Sequence, residues 1–177
     1  MSFTHQIETL SGQNVHLCIQ CSKCSAGCPF ADRMDMMPAQ VIHRTMLGHA
    51  DRILNSTAIW YCAGCETCST RCPQGLEPAA VMNAARLLAI QNGITPSVPA
   101  VAAFYQSFVE NMMMYGRVSD LMLVVALRLK SRDMFSEIPL AIKLFERGKL
   151  NPLALPAGVV DFRRLYERVQ VVEKRTA

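Results

Sequence analysis

The chain has 177 residues, 51% of them hydrophobic, and a formal net charge of +4. That composition excludes a disordered chain and leaves room for one ordinary domain, or a small domain with an extension. Charge is uneven: residues 1–116 hold six Lys/Arg against seven Asp/Glu, and residues 117–177 hold twelve against seven. The basic residues of the second half alternate with apolar ones, which reads as a solvated or partner-facing helix surface and not as a nucleic-acid stripe.

In chain order, "MSFTHQIETL" has no basic segment followed by an apolar stretch, so no secretory signal is expected. Cysteines then dominate, at Cys18, Cys21, Cys24 and Cys28. Next, "PAQVIHRTMLG" predicts a helix that starts at Pro38, where a missing N–H costs nothing, and stops at Gly48. The cysteine block repeats after 44 residues as Cys62, Cys65, Cys68 and Cys72. A second proline-led helix follows from Pro78, with Val81, Ala85, Leu88 and Ala89 at helical spacing and Asn92-Gly93 as its stop. From Ser97, an expected N-cap, a third helix carries the stripe Val101, Phe104, Tyr105, Phe108 and Met112 and ends at Gly116. Ser119 opens a fourth through "DLMLVVALRLK". A short helix is expected at 139–147, a proline loop at "NPLALPAG", and helix again in "VVDFRRLYERVQVVEKR". No stretch has a strand pattern, so the fold class is all-α. The longest apolar run, "LMLVVAL", has about one third of the roughly 20 residues a bilayer requires. A soluble, cytoplasmic protein with no membrane span is therefore expected. All eight cysteines precede residue 73, which divides the chain into a cysteine-bearing domain at 1–93 and a helical extension at 94–177.

Each block reads Cys, two residues, Cys, two residues, Cys, three residues, Cys-Pro. In a reducing compartment, clustered thiols point to metal before disulfides, and four bridges inside such short blocks would be strained. A catalytic dithiol needs one Cys-x-x-Cys, not three thiols in series twice over. Structural zinc favours paired Cys-x-x-Cys units across a longer spacer and has no use for the third closely spaced cysteine. The run is the ligand signature of 4Fe–4S ferredoxins, in which the fourth cysteine serves the other cluster of a two-cluster protein. The expectation is two 4Fe–4S clusters. Cys18, Cys21, Cys24 and Cys72 would hold one, and Cys62, Cys65, Cys68 and Cys28 the other. Four thiolates per cluster leave no open site, so such a centre carries electrons and binds no substrate. Pro29 and Pro73 would end the ligand loops, and Gly27 and Gly64 would let backbone approach sulfur. The spacer holds a helix where small bacterial ferredoxins have hairpins, which argues for an α-helical ferredoxin.

"SGQNVHLCIQCSKCSAGCPF", "WYCAGCETCSTRCPQG", "YGRVSDLMLVVALRLKS" and "LAIKLFERGKL" together resemble the small iron–sulfur C subunit of heterodisulfide reductase. The resemblance implies a non-catalytic electron-transfer component of a hetero-oligomer. It would relay electrons between a larger component bearing flavin and clusters, the A subunit of that family, and the disulfide-active B subunit with its Cys-Cys-Gly repeats. Similar blocks occur in iron–sulfur subunits of succinate/fumarate and glycolate oxidase type, which stand as the alternative, and a zinc-stabilised interaction module stands behind both.

Other residues carry less. Lys23, Arg71 and Glu66 lie in the ligand loops as solvated or potential-tuning charges. His5, His16, His43 and His49 read as ordinary histidines, because no cysteine is missing for them to replace. Trp60 and Tyr61 precede the second block and would wall a cluster or simply pack. The methionines of "NMMMYG" suit core or interface. No nucleotide-binding glycine motif or catalytic triad pattern is present.

Overall fold

The computed structural model describes residues 1–131 and 157–176. The helix expected at 139–147 and most of the proline loop lie outside them. Within the described residues the chain is helical and no strand occurs. The helices are α1 (Phe3–Ser11), α2 (Lys23–Ala26), α3 (Pro38–Met46), α4 (Ala50–Leu54), α5 (Ala58–Tyr61), α6 (Thr67–Thr70), α7 (Pro78–Gln91), α8 (Pro99–Tyr115), α9 (Asp120–Ser131) and α10 (Val159–Thr176). The chain divides into two compact units, Met1–Pro99 and Ala100–Ala177.

In the first unit, α7 is the central helix, and α1, α3, α4 and α5 pack against it. Pro78 opens it at the first turn, and it ends at Asn92. The stripe Val81, Ala85, Leu88 and Ala89 is buried, together with Met82. Facing it are Ile7 of α1, Val41 and Ile42 of α3, Ile53 of α4 and Ile59 of α5, all with at most 1% of their surface exposed. At about 1.5–3 kcal/mol per buried aliphatic side chain, this cluster is the main source of stability in the unit.

Helix α1 has no counterpart in the sequence-based expectation. Its ends are nonetheless well formed. Ser2 Oγ accepts the His5 N–H at 3.3 Å, and Gly12, at φ +67°, donates its N–H to Glu8 O at 2.9 Å. Thr4 Oγ1 donates to Thr45 O at 2.8 Å, which ties α1 to α3. Nine residues with one buried apolar side chain carry too weak a period to announce a helix; tertiary contact with α7 decides it.

One expectation about α8 changes. Ser97 does not cap the helix: it lies outside it, and its hydroxyl donates to Asn55 O, at the end of α4. The stripe Phe104 and Phe108 remains 40% and 37% exposed, and the buried residues of α8 are Ser107 and Asn111. Asn111 Oδ1 accepts the Ser119 N–H at 2.8 Å and Asn111 Nδ2 donates to Ser119 O at 3.3 Å. A polar clamp, not an apolar seam, therefore fixes the turn between α8 and α9. Gly116, at φ +70°, sits so close to the backbone of Ala157–Val159 that a Cβ would clash.

Asp35 links the segment after the first cysteine block to the helix before the second. Its Oδ1 accepts from the Ser56 hydroxyl, from Thr57 Oγ1 at 3.0 Å and from the Ala58 N–H at 3.1 Å. Partial burial alone would raise its carboxyl pKa. The bonds from Ser56, Thr57 and Ala58 together outweigh burial and hold it below the ordinary value. Asp35→Ala removes a helix cap supplied from another segment and is expected to lower stability by about 1 kcal/mol. Thermal unfolding of the variant beside the parent chain checks this.

Candidate metal centre

The two cysteine blocks fold into loops of the same conformation. Cys18 leaves a short 3-10 turn at φ −70°, ψ 115°, and Cys62 leaves α5 at φ −64°, ψ 111°. Two residues on, Gln20 has φ 56° and Gly64 has φ 64°; two further on, Ser22 has φ 61° and Glu66 has φ 58°. The left-handed region is costly for any residue with a Cβ, yet three non-glycine residues occupy it here and no other described non-glycine residue does. One helical turn follows in each loop. Ser25 N–H donates to Ser22 O at 3.0 Å, as Ser69 N–H does to Glu66 O, and Cys28 N–H donates to Ser25 O at 3.2 Å, as Cys72 N–H does to Ser69 O.

The left-handed residues turn main-chain N–H groups toward sulfur, in the manner of a backbone nest. The Gly64 N–H points at the Cys62 sulfur and the Thr67 N–H at the Cys65 sulfur. At φ +64° Gly64 takes without strain a conformation that Gln20 takes at a cost in the first loop, and a Cβ at Gly64 would meet no protein atom within 4 Å. Gly27 differs: a Cβ would lie 2.4 Å from Arg71 Nη1, so the close neighbour is the Arg71 side chain.

All eight cysteines are free thiols. They surround two hollows. The first is lined by Cys18, Cys21, Cys24 and Cys72, with Ile42, Leu76 and Pro73 in its wall. The second is lined by Cys28, Cys62, Cys65 and Cys68, with Pro29, Met34 and Met82. Each hollow therefore takes three cysteines from one block and the last cysteine of the other. Pro78 stands in the wall of both. Each encloses about 380 Å³ of empty space, part of it open to solvent. Among the described residues no three Cys, His, Asp or Glu side chains close on a point that would hold a single metal ion.

The thiols do not share one environment. Burial pushes the Cys24, Cys62 and Cys68 thiols up, most simply because the thiolate loses water. Cys65 is exposed, and the hydrogen bond with Thr67 Oγ1, at 3.5 Å, pulls its thiol down. Soft, partly buried sulfur donors in sets of four, with N–H and O–H groups aimed at them, fit an iron–sulfur cluster in each hollow.

Neither Trp60 nor Tyr61 lines a hollow; Trp60 is 3% exposed, in the hydrophobic core. His5, His16, His43 and His49 are exposed and line neither hollow. Arg86 was not anticipated. Its Nε donates to Ile59 O at 2.8 Å and its Nη2 to Cys62 O, so the guanidinium is fixed beside the second hollow. A signal existed, since Arg86 is the one charged residue in the fourteen of α7.

Residues 14–76 match the family of 4Fe–4S dicluster domains. The chain is similar to the C subunit of H(2):CoB-CoM heterodisulfide,ferredoxin reductase of Methanothermobacter thermautotrophicus, at 31% identity over 58% of this chain and 56% of that protein. It is 35% identical to the C subunit of ferredoxin:CoB-CoM heterodisulfide reductase of Methanosarcina acetivorans, over 50% of this chain and 35% of that protein. It is also 30% identical to the iron–sulfur subunit of 8-methylmenaquinol:fumarate reductase of Wolinella succinogenes, over 80% of this chain and 47% of that protein. The chain thus spans about half the length, or less, of these curated relatives. The resemblance to the heterodisulfide reductase C subunit, drawn from the cysteine blocks and two helical segments of the C-terminal half, agrees with the first two of these relatives. Among the described residues, no helix is long and apolar enough to cross a membrane.

Gly64→Ala would force a Cβ into the left-handed region in the ligand loop. It is expected to cost about 1 kcal/mol of stability. A fall in the thermal midpoint, with no fall for Gly27→Ala beyond what a displaced Arg71 side chain accounts for, checks the distinction between the two glycines.

Proposed function

We propose that the chain is a non-catalytic electron-transfer subunit that relays electrons through two 4Fe–4S clusters. Cys18, Cys21, Cys24 and Cys72 hold one cluster, and Cys62, Cys65, Cys68 and Cys28 hold the other. The observation that carries this reading is the exchange of the last cysteine between the two hollows. Four thiolates on each cluster leave no iron open to substrate, so the role is relay and not catalysis.

The relatives from heterodisulfide reductases support a place in a complex of that type. In that setting the chain passes electrons between the flavin-bearing A subunit and the disulfide-active B subunit, in the cytoplasm. The domains follow the same division, with the clusters in residues 1–93 and the partner contact in 94–177. Phe104, Phe108, Met114, Val124 and Val125 are each at least 37% exposed, and apolar and aromatic surface of that kind suits a subunit interface. A second reading, the iron–sulfur subunit of a fumarate reductase type of enzyme, is favoured by the length of the alignment with the Wolinella succinogenes protein.

Anaerobically prepared protein is expected to hold about eight iron and eight sulfide per chain. Stoichiometric zinc without sulfide would end the reading. Cys28→Ser is expected to damage the cluster of Cys62, Cys65 and Cys68 and spare the other, and Cys72→Ser to do the reverse. Electron paramagnetic resonance distinguishes this from damage confined to the mutated block's own cluster. Phe108→Glu with Met114→Glu is expected to weaken co-purification of partners at least tenfold, about 1.4 kcal/mol, while iron content stays unchanged. A Cys-Cys-Gly protein among those partners supports the heterodisulfide reductase reading, and a flavin dehydrogenase supports the second.

A further inference from the structure

The halves of the centre repeat in backbone but not in charge. Pro38 opens α3 and lines the second hollow; Pro78 opens α7 and lines both. Met46 and Arg86 are matched positions, each eight residues after its proline (46−38 and 86−78). Met46 serves the first hollow: Gln20 Nε2 donates to Cys18 Sγ at 3.2 Å and lies 3.7 Å from Met46 Sδ. Arg86 serves the second: two carbonyls, of Ile59 and Cys62, pin its guanidinium, and its charge acts on the Cys62 sulfur. A neutral thioether thus stands where the other half has a fixed cation.

A reduced cluster carries one more negative charge than an oxidised one. A fixed positive charge therefore stabilises the reduced form, the more so where part-burial limits screening by solvent and salt. Arg86 is half-buried. The opposing charge at the same hollow, Glu66, is exposed and already accepts a hydrogen bond from Ser69 Oγ. Lys23 in the first loop is exposed, and Arg71, also exposed, lies against Gly27 and lines neither hollow.

We infer that Arg86 sets the second hollow at the higher reduction potential, so that electrons run downhill within the chain from the Cys18–Cys21–Cys24–Cys72 site to the Cys28–Cys62–Cys65–Cys68 site. The step is a one-electron exchange: the first site is oxidised, the second reduced, and no bond or proton moves. The inference rests on the two-cluster reading above. Arg86 is a positioning and tuning residue, because it contacts the carbonyl of a ligand and not the cluster.

The test is an anaerobic potentiometric titration of the full-length reconstituted chain, with dithionite as reductant and electron paramagnetic resonance as readout. Two one-electron waves are expected, the higher one lost in Cys28→Ser. Arg86→Met is expected to lower the higher wave and leave the lower one in place. The electron-exchange constant should fall at least tenfold, about 59 mV for one electron. Arg86→Lys keeps the charge and is expected to retain most of the separation. Met46→Arg is expected to raise the lower wave by a similar factor, and it decides the matter if Arg86→Met loses its clusters. An unmoved higher wave in Arg86→Met, movement of the lower wave instead, or a full loss of the separation in Arg86→Lys overturns the inference. So do unmoved waves in Met46→Arg. Iron and sulfide analysis of the same samples separates the two levels. A parent chain without sulfide overturns the two-cluster reading and this inference together, whereas a full complement with insensitive waves overturns the inference alone.

Discussion

The exchange of Cys28 and Cys72 between the two loops is the constraint on which the rest of the first unit depends. Neither loop completes its own set of four thiols. Cys28 must reach the hollow of the second block and Cys72 that of the first. The segment between them is then a closed loop, and its two ends have to be held together by something other than the thiols alone. The buried cluster of Val41, Ile42, Ile53, Ile59 and Val81 supplies that, with α7 as the common surface. Closing such a loop costs only the logarithm of its length, so a compact apolar core readily offsets it.

Polar groups do the fine positioning. The unit has few charges, and those with work to do are tied to backbone. Asp35 reaches from the end of the first loop to the start of α5, which leads into Cys62. Arg86 reaches from α7 to the carbonyls at the other end of α5. The helix that presents Cys62 is therefore held at its start by an anion and at its finish by a cation. Both arrangements agree with the partial charges at helix ends, although a single turn contributes little dipole of its own.

The ligand loops spend conformational energy to aim N–H groups at sulfur. Three residues with side chains sit in the left-handed region, at positions that repeat between the loops. Only one of the four such positions is glycine, Gly64. Strain repeated at the same two places in both halves is imposed by the shape of the loop and not by the identity of the residue. The loops carry Gln, Ser, Gly and Glu at these positions, and of these side chains Gln20 turns back to the Cys18 sulfur.

Much of this was legible in the order of residues. Cysteine spacing is local, and local spacing brings three thiols of each block to the wall of one hollow. Proline-led apolar periods likewise announced α3 and α7, because helix periodicity and the missing proline N–H act within one turn. What failed in the sequence reading was non-local. Helix α1 was missed because one buried Ile7 makes no period. On α8 the period showed the stripe of Phe104 and Phe108 but not the burial of Ser107 and Asn111, because the Asn111–Ser119 clamp joins residues of two helices. The closeness of Arg71 to Gly27, forty-four residues away, was not foreseen either. The sequence by itself determined the donor set, its likeness to a dicluster domain and the helical class. Only the tertiary structure decided which thiols share a hollow and which hollow has Arg86 beside it, because both depend on how distant helices pack and not on what any one segment prefers.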